Sequence, residues 1–370
     1  MVYSASFYSA NYHYGNPYFF LFKQILGVVL GIFAMIFFSF VDYHLLKKYK
    51  TWIIVISIIL LVLVFVPGLG MESYGAKRWI SILGFSIQPS EIAKFALVIF
   101  IAGYMSDNHD KVKTFKGLLP VLCVAGVICV LTMLEPSMSV TMCIGFVTLF
   151  MLIIGGMSKK HTLMFSIPAA AVVPLLVVLE PYRLRRLMAF IDPWASPQGE
   201  GFQLIQSLYS LGSGGLFGVG LFNSRQKYLF LPFAESDFIL SIIGEEIGFV
   251  GLIVLMSVFL VLIYSLIKIA LNAKDRFGAM LVAGVAFIIG VQTLLNIAVV
   301  TGSIPPTGLP LPFISSGGTS VTVFMAGIGI CLNVLRQSQG QDYKVIPRFK
   351  KAACIASYPN SFALVANSFL

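Results

Sequence analysis

Charged residues are scarce in this chain of 370 residues. Asp, Glu, Lys and Arg make up 11% of the sequence, hydrophobic residues make up 58%, and the mean hydropathy is +0.93. A soluble globular domain carries about 25% charged residues. The composition therefore excludes an ordinary soluble domain and predicts a polytopic membrane protein. The net charge of +10 favours basic cytoplasmic loops facing anionic lipid over nucleic-acid binding.

Sequence motifs of several enzyme classes are also absent. The four histidines lie far apart, and the sequence contains no zinc-binding spacing, Walker motif or nucleophile elbow. Four of the five cysteines lie in apolar runs, which is typical of small buried residues rather than of a disulfide framework. We therefore expect neither a soluble nucleotide-dependent enzyme nor a metal site.

Apolar runs of about 20 residues, the length that crosses a bilayer as a helix, recur along the chain. They predict an all-α, polytopic transmembrane helix bundle of about nine spans. The predicted spans lie near 18–41, 51–67, 89–105, 117–135, 138–157, 162–180, 238–268, 277–300 and 318–336. We expect residues 1–336 to form a single membrane domain and residues 337–370 to form a cytoplasmic tail.

Lys and Arg are concentrated in alternate short loops. Eleven basic residues fall in four of them, which are 44–50, 109–116, 158–161 and 268–276. The positive-inside rule makes these loops cytoplasmic, so the N-terminus is expected outside and the C-terminus inside. The intervals 68–88, 181–237 and 301–317, and the tight turn at Glu135 and Pro136, are then external.

The long external interval 181–237 is the expected place for chemistry. Its basic residues include Arg183, Arg186, Arg225 and Lys227. They have two interpretations: a solvated basic face, or an anion site in which planar guanidinium groups pair with phosphate oxygens. Residues 182–194 predict a short amphipathic segment along the membrane interface. The glycine-rich stretch that follows predicts an interfacial or re-entrant piece.

Asp237 is the strongest candidate for a catalytic residue. It stands at the outer end of a long apolar run, where a carboxylate is costly unless it is solvated or paired. Its alternative role is to cap the following helix. Glu245 and Glu246 lie about two turns further along, and at least one of them must face a polar cavity or a partner.

A second group of candidates lies around the first external loop. Trp79 fits an interfacial aromatic belt. Glu91 and Lys94 are three residues apart in an apolar run, so they can pair on one helix face and indicate either a function or a fixed helix contact. Further along, the proline- and glycine-rich stretch 300–320 predicts a rigid external loop that is buried in protein or lines a wet cavity.

Four blocks of sequence together resemble the SEDS family (FtsW, RodA, SpoVE). They are RWISILGFSIQPSEIAK, GFQLIQSLYSLGSGGLFGVGL, SRQKYLFLPFAESDFI followed by GEEIGFVG, and TGLPLPFISSGGTS. The resemblance runs from residue 1 to about residue 336 and is greater to the FtsW and SpoVE branch. It implies a ten-helix glycosyltransferase of the bacterial inner membrane that polymerises lipid II into glycan strands. The process served would be cell division, elongation or spore cortex synthesis.

The resemblance also implies roles and partners. The family's essential acid matches Asp237, and its basic residues in the long external segment match Arg183 and Arg186. Its positions in the first external loop and the next helix match Trp79, Glu91 and Lys94. We expect Asp237 to be the base, and the basic residues, with Arg225 and Lys227, to bind pyrophosphate. The expected partners are lipid II, membrane lipid and a class B penicillin-binding protein. The reaction could use a divalent cation, for which the sequence shows no ligand set.

The chain departs from the family pattern in several places. The family's first helix is missing, Ser137 replaces an Asp, and Ser316 replaces an aromatic residue. Phe233 replaces a Glu, with an acid at Glu235 instead, and residues 350–370 resemble nothing in the family. Two alternatives therefore stay open. One is a non-catalytic scaffold for a penicillin-binding protein. The other is a lipid II flippase whose path is lined by Glu91, Lys94, Glu245 and Glu246.

Overall fold

The computed structural model describes residues 1–73, 76–82, 85–178 and 180–339. The helices in these ranges are α1 (Val2–Tyr14), α2 (Phe19–Phe40), α3 (His44–Lys48), α4 (Lys50–Leu63), α5 (Pro89–Asp107), α6 (Phe115–Leu134), α7 (Met138–Ile154), α8 (Lys159–Val178), α9 (Pro181–Ile191), α10 (Phe202–Gly214), α11 (Ile239–Leu271), α12 (Arg276–Val300) and α13 (Gly318–Gln339). The strands are β1 (Gly70–Ser73), β2 (Ala76–Ile82) and β3 (Phe85–Ile87).

Helices occupy all nine intervals that the sequence predicts to span the membrane. Six helices of the described chain are long and apolar enough to cross a bilayer: α2, α5, α6, α11, α12 and α13. The helices α4 and α7 are apolar but shorter. The polytopic helical bundle is thus confirmed, and the count of nine spans stays a prediction. Most of the predicted tail, with Cys354, lies outside the described residues.

Two helices form the centre of the bundle. In the most apolar stretches of α5 and α12, 83% and 72% of the residues are buried, against 17% in α2 and 11% in α11. The outer helices present large apolar side chains such as Phe33 and Leu260 to the surroundings, as lipid contact requires. Polar residues on α5 and α12 are therefore enclosed by protein and not by lipid.

Glycine allows α2 and α13 to pack backbone to backbone. A Cβ atom added at Gly27 would lie 2.6 Å from the Cα of Gly318, and one added at Gly329 would lie 2.4 Å from the carbonyl oxygen of Met35. Small residues at such contacts are typical of membrane helix pairs, in which close packing replaces the hydrophobic effect.

This contact gives a prediction about stability. The substitution Gly329→Ala should push α13 away from α2 and lower the free energy of unfolding by about 1–3 kcal/mol, the usual cost of overpacking. The matched control is Gly126→Ala on α6, where nothing lies within 4 Å of the added atom. Thermal unfolding of the purified protein in detergent measures both. Equal midpoints for the two variants would contradict the packing argument.

The long helix α11 is interrupted at Gly248. The φ of 69° and ψ of −173° at this residue suit only glycine. The glycine-rich stretch after α10 lies against the break: the amide of Phe249 donates to the carbonyl of Gly215, and that of Val219 to the carbonyl of Glu245, both at 2.9 Å. The stretch thus satisfies the backbone groups that the break exposes. The predicted span 238–268 contains this break, which hydropathy does not reveal.

The external interval 68–88 folds in part into a small antiparallel sheet of order β1–β2–β3, with Met71 opposite Trp79 and Ile80 opposite Ile87. The all-α prediction omitted this sheet. In the interval 181–237 the predicted amphipathic segment is the helix α9, which carries Arg183 and Arg186.

Candidate active site

Asp237 lies where the segment before α11 meets the proline-rich loop between α12 and α13. The side-chain amide of Asn296 on α12 donates to the carbonyl oxygens of Asp237 (2.9 Å) and Leu309 (2.8 Å). A Cβ atom added at Gly308 would lie 3.2 Å from Oδ2 of Asp237, and the φ of +72° at this glycine also disfavours any side chain. The loop backbone therefore closely approaches the Asp237 carboxylate.

Further hydrogen bonds join the two segments. The hydroxyl of Ser315 donates to the carbonyl of Ser236 at 2.6 Å, and the amide of Ser316 donates to the carbonyl of Glu235 at 2.8 Å. The two residues that precede the acid are thus tied to the loop. This proline-rich loop, a weak functional signal in the sequence, forms one wall of the site.

Burial raises the pKa of Asp237 to about 6, even though the charges of Arg78 and Arg186 and a hydrogen bond from Ser236 act to lower it. Burial also raises the pKa of Glu235, and the charge of Asp237 adds to that shift. Asp237 is therefore a base that is largely ionised at neutral pH and close to its own titration. Two guanidinium groups act on it, one from β2 and one from α9.

A buried charge pair on α5 is linked by hydrogen bonds to the proline-rich loop. The Lys94 ammonium donates to Glu91 Oε1 at 2.8 Å and to Gln292 Oε1 at 2.6 Å, and Gln292 Nε2 donates to the carbonyl of Pro310 at 2.9 Å. The side chains of Glu91 and Lys94 are 0% exposed. The predicted pairing is confirmed, and it serves a fixed contact from α5 through α12 to the loop. Direct contact of either residue with a substrate stays a prediction.

The other predicted binding residues lie at different depths. Arg186 and Arg183 are partly buried on α9, and the Arg186 guanidinium lies 4.0 Å from Glu200. Trp79 is partly buried on β2. The side chain of Arg225 is exposed, while its backbone amide donates to Glu245 Oε1 at 2.9 Å. The structure thus brings Arg186 to Asp237, and the substrate contacts of the others stay predictions.

Lys227 occupies an unexpected place. Its ammonium lies 3.2 Å from Glu246 Oε1 and donates to Ser4 on α1, and its side chain is 0% exposed. Glu245 accepts from Ser224 at 2.5 Å and from Ser210 at 3.2 Å. Both acids of α11 therefore hold partners, as membrane depth demands. As a pyrophosphate ligand, Lys227 would first have to leave Glu246.

A small cavity opens between α9, the start of α10 and the segment that precedes Asp237. It has a volume of about 170 Å³ and is lined by Arg186, Gly199, Glu200, Phe202, Gln203, Pro232, Phe233 and Pro306. Ligand sites that enclose a drug-sized molecule measure about 300–1,000 Å³. The cavity therefore suits one sugar or phosphate group of a larger substrate. Among the described residues no cluster of three or more His, Cys, Asp or Glu could hold a metal ion, so the divalent cation stays a prediction.

Sequence reasoning missed three residues of this site. Arg78 is adjacent to Trp79 in the first external loop, and its charge acts on Asp237. Gln292 and Asn296 are amides in an apolar run of α12, and both are buried and bonded to the loop. A polar side chain within a membrane helix is itself a signal of function or fixed contact, and this signal could have found both amides.

The fold and site define a class: a multi-pass membrane helix bundle with a partly buried carboxylate and arginines at one end. The family model described as a cell cycle protein, FTSW_RODA_SPOVE, matches residues 1–340. The chain belongs to this family, as the sequence resemblance predicted.

Curated relatives cover nearly the whole chain. A probable peptidoglycan glycosyltransferase FtsW of Geobacter sp. (strain M18) is 40% identical over 341 residues, covering 92% of this chain and 93% of the relative. Stage V sporulation protein E of Bacillus subtilis (strain 168) is 39% identical, with the same coverage. The predicted similarity to both FtsW and SpoVE is therefore confirmed.

Solved structures share the fold. A chain of a peptidoglycan synthase complex that coordinates polymerization and crosslinking aligns with a TM-score of 0.75 and 28% identity, covering 91% of this chain and 95% of that chain. The rod shape determining protein RodA of Thermus thermophilus aligns with a TM-score of 0.65 and 24% identity. This second match supports the fold alone.

The buried pair on α5 yields a second prediction. Lys94→Met should leave Glu91 without its partner in the centre of the bundle and destabilise the protein by about 3–5 kcal/mol. The double variant Glu91→Gln, Lys94→Met removes both charges and should recover much of the lost stability. Thermal unfolding in detergent compares the two. A double variant as unstable as Lys94→Met would show that the pair is not what holds α5 to α12.

Proposed function

We propose that this protein is a peptidoglycan glycosyltransferase that polymerises lipid II into glycan strands, with Asp237 as its base. The observation that carries the proposal is the partly buried Asp237 carboxylate, on which Arg78 and Arg186 act. It is supported by membership of the family and by relatives named peptidoglycan glycosyltransferases.

The chemistry requires a base for the acceptor hydroxyl. Asp237 takes the proton from the sugar 4-hydroxyl as that oxygen attacks the anomeric carbon of the donor, and the bond to the pyrophosphate breaks. A positioned base of this kind contributes about 10²–10⁴-fold to the rate. Because burial holds the pKa of Asp237 at about 6, the group stays ionised at neutral pH and is a stronger base than an exposed Asp.

The departing pyrophosphate requires positive charge. Arg186 lines the small cavity and its charge acts on Asp237, and Arg183 lies one turn away on α9. The helix thus carries two guanidinium groups in the external interval. Fixed cations of this kind stabilise charge as it develops in the transition state. The exposed Arg225 could add to this positive field, and the apolar outer faces of the bundle would accept the polyprenyl chain.

The proposal predicts the activity of Asp237→Asn. The amide cannot accept the proton, so glycan formation from lipid II by the purified protein should fall by at least about 100-fold. In the wild type, kcat/KM should fall as pH decreases through about 6, because protonation removes the base. Gel analysis of the glycan products across pH 5 to 8 measures both effects.

Asp192→Asn is the matched control. It makes the same change in the same external interval, at a residue whose side chain accepts from the backbone amides of Trp194 and Ala195. Asn performs this capping about as well as Asp, so activity should be kept. Wild-type glycan synthesis by Asp237→Asn would remove Asp237 from the mechanism. Rescue of a deletion strain by that same variant would favour the scaffold.

The flippase has less support. Its path would be lined by Glu91, Lys94, Glu245 and Glu246, yet these side chains are at most 2% exposed at the residue level and are bonded to protein groups. A wet path would need their charges to face an open channel. Translocation of labelled lipid II in liposomes without polymer formation would support the flippase.

The partner in the proposed reaction is a class B penicillin-binding protein, which would crosslink the strands that this protein makes. One solved relative belongs to a peptidoglycan synthase complex, which favours such an assembly. The protein is a multi-pass protein of the inner membrane, and we place the Asp237 face outside because the basic short loops lie at the opposite ends of the helices.

Asp237 should also reduce stability. The folded-state pKa of about 6 exceeds the ordinary value of 3.8, so the folded state disfavours the charge and stability falls as pH rises from about 4 to 6. Asp237→Asn removes this penalty and should stabilise the protein at pH 7.5 by at most about 3 kcal/mol. Thermal unfolding at pH 7.5 and pH 5 measures the gain, which should be smaller at pH 5. An equal gain at both values would show that charge burial is not its cause.

A further inference from the structure

Arg78 is held in place by the turn between α6 and α7. Its Nε donates to the carbonyl of Glu135 at 3.1 Å, and its Nη2 donates to the carbonyl of Pro136 at 2.5 Å. These bonds join β2 of the external sheet to the bundle. The position of the Arg78 charge, which acts on Asp237, is therefore fixed by the backbone of this turn.

Glu135, in the same turn, is buried without a hydrogen-bond partner for its carboxyl group in the described part of the chain. The residue is 1% exposed. A buried carboxylate without partners is costly, so such a group takes up a proton instead. Burial accordingly raises the pKa of Glu135 to about 8, and the charge of Arg78 opposes that shift.

We propose that Arg78 is a further substrate-binding residue that contacts the pyrophosphate of lipid II, and that Glu135 is a positioning residue that controls the charge available at Arg78. This inference rests on the proposed function. With Glu135 neutral, its carboxyl group does not offset the charge that Arg78 brings to the site. With Glu135 ionised, the two residues form an internal ion pair and the attraction for an anion falls.

The charged groups around Glu135 and Arg78 lie on several elements of the described chain. The charge that acts on the Glu135 carboxyl from the described elements around it is Arg78 on β2. The charge of Arg78 also acts on Asp237, before α11, as does the charge of Arg186 on α9. The charge of Asp237 in turn raises the pKa of the neighbouring Glu235. The loop 301–317, which packs against Asp237, contains no titratable residue. Above pH 7 the carboxyl group of Asp237 is already ionised, while burial raises the pKa of Glu235 as well as that of Glu135. The contribution of Glu135 is therefore the part of the pH dependence that Glu135→Gln removes.

The test is the affinity for lipid II between pH 7 and pH 9. A pyrophosphate that links a sugar to a lipid keeps both charges over this range, so the substrate does not titrate. Binding of fluorescent lipid II to the wild-type protein in nanodiscs should weaken about tenfold by pH 9, the typical value of one charged hydrogen bond. Glu135→Gln stays neutral, so its dissociation constant should be nearly the same at both pH values.

Two further variants complete the test. Glu180→Gln makes the same change at an exposed acid before α9 and should keep the wild-type pH dependence. Arg78→Gln should bind lipid II about tenfold more weakly at pH 7, with little further loss at pH 9. A wild-type dissociation constant that does not change with pH would by itself overturn the inference. Binding of lipid II by Arg78→Gln with the wild-type affinity would also overturn it.

The binding measurement is separate from catalysis. A wild-type protein that binds lipid II with this pH dependence but makes no glycan would support the roles of Arg78 and Glu135 and contradict the proposed glycosyltransferase. Glycan synthesis with an affinity that is constant from pH 7 to pH 9 would support the glycosyltransferase and overturn these two roles.

Discussion

The Lys94 ammonium group, bonded to Glu91 and Gln292 in the centre of the bundle, connects the interior to the external site. A lone charge at this depth would be very costly, so the three side chains must stay together. Gln292 passes the constraint to the backbone of the proline-rich loop, and Asn296, one turn further along α12, bonds both that loop and the segment at Asp237. The geometry around the acid thus depends on groups that have no exposed surface themselves.

Two buried acids on α11 likewise hold an external segment in place. The break at Gly248 would expose backbone groups at membrane depth, and the glycine-rich stretch after α10 bonds them. Glu245 and Glu246 then fix the remainder of the long external interval through Ser224 and Lys227. The charged residues of α11 thus bond the non-helical segments of the long external interval. These bonds explain how that interval can position Asp237 just before α11.

Much of the fold could be predicted from the sequence, because hydropathy reports directly on burial in lipid. The nine apolar intervals are all helices, and the pairing of Glu91 with Lys94 followed from their spacing. The external sheet and the break in α11 could not be predicted, because each depends on contacts with distant segments. Asp237 stood out as an acid at a helix entrance. The charge of Arg78 acts on Asp237, and Lys227 forms an ion pair with Glu246. Both interactions join residues that are distant in sequence, so no local pattern predicts them.

An acid that must act as a base beside an anionic leaving group faces opposing demands. Burial strengthens Asp237 as a base, yet every negative charge nearby weakens the binding of pyrophosphate. Glu235 and Glu135 would add two such charges, and burial raises the pKa of both, Glu135 to about 8. Keeping Glu135 protonated leaves Arg78 and Arg186 to offset the carboxylate that the reaction uses. Local burial around each acid, more than the number of basic residues in the external interval, then determines whether an anion can bind here.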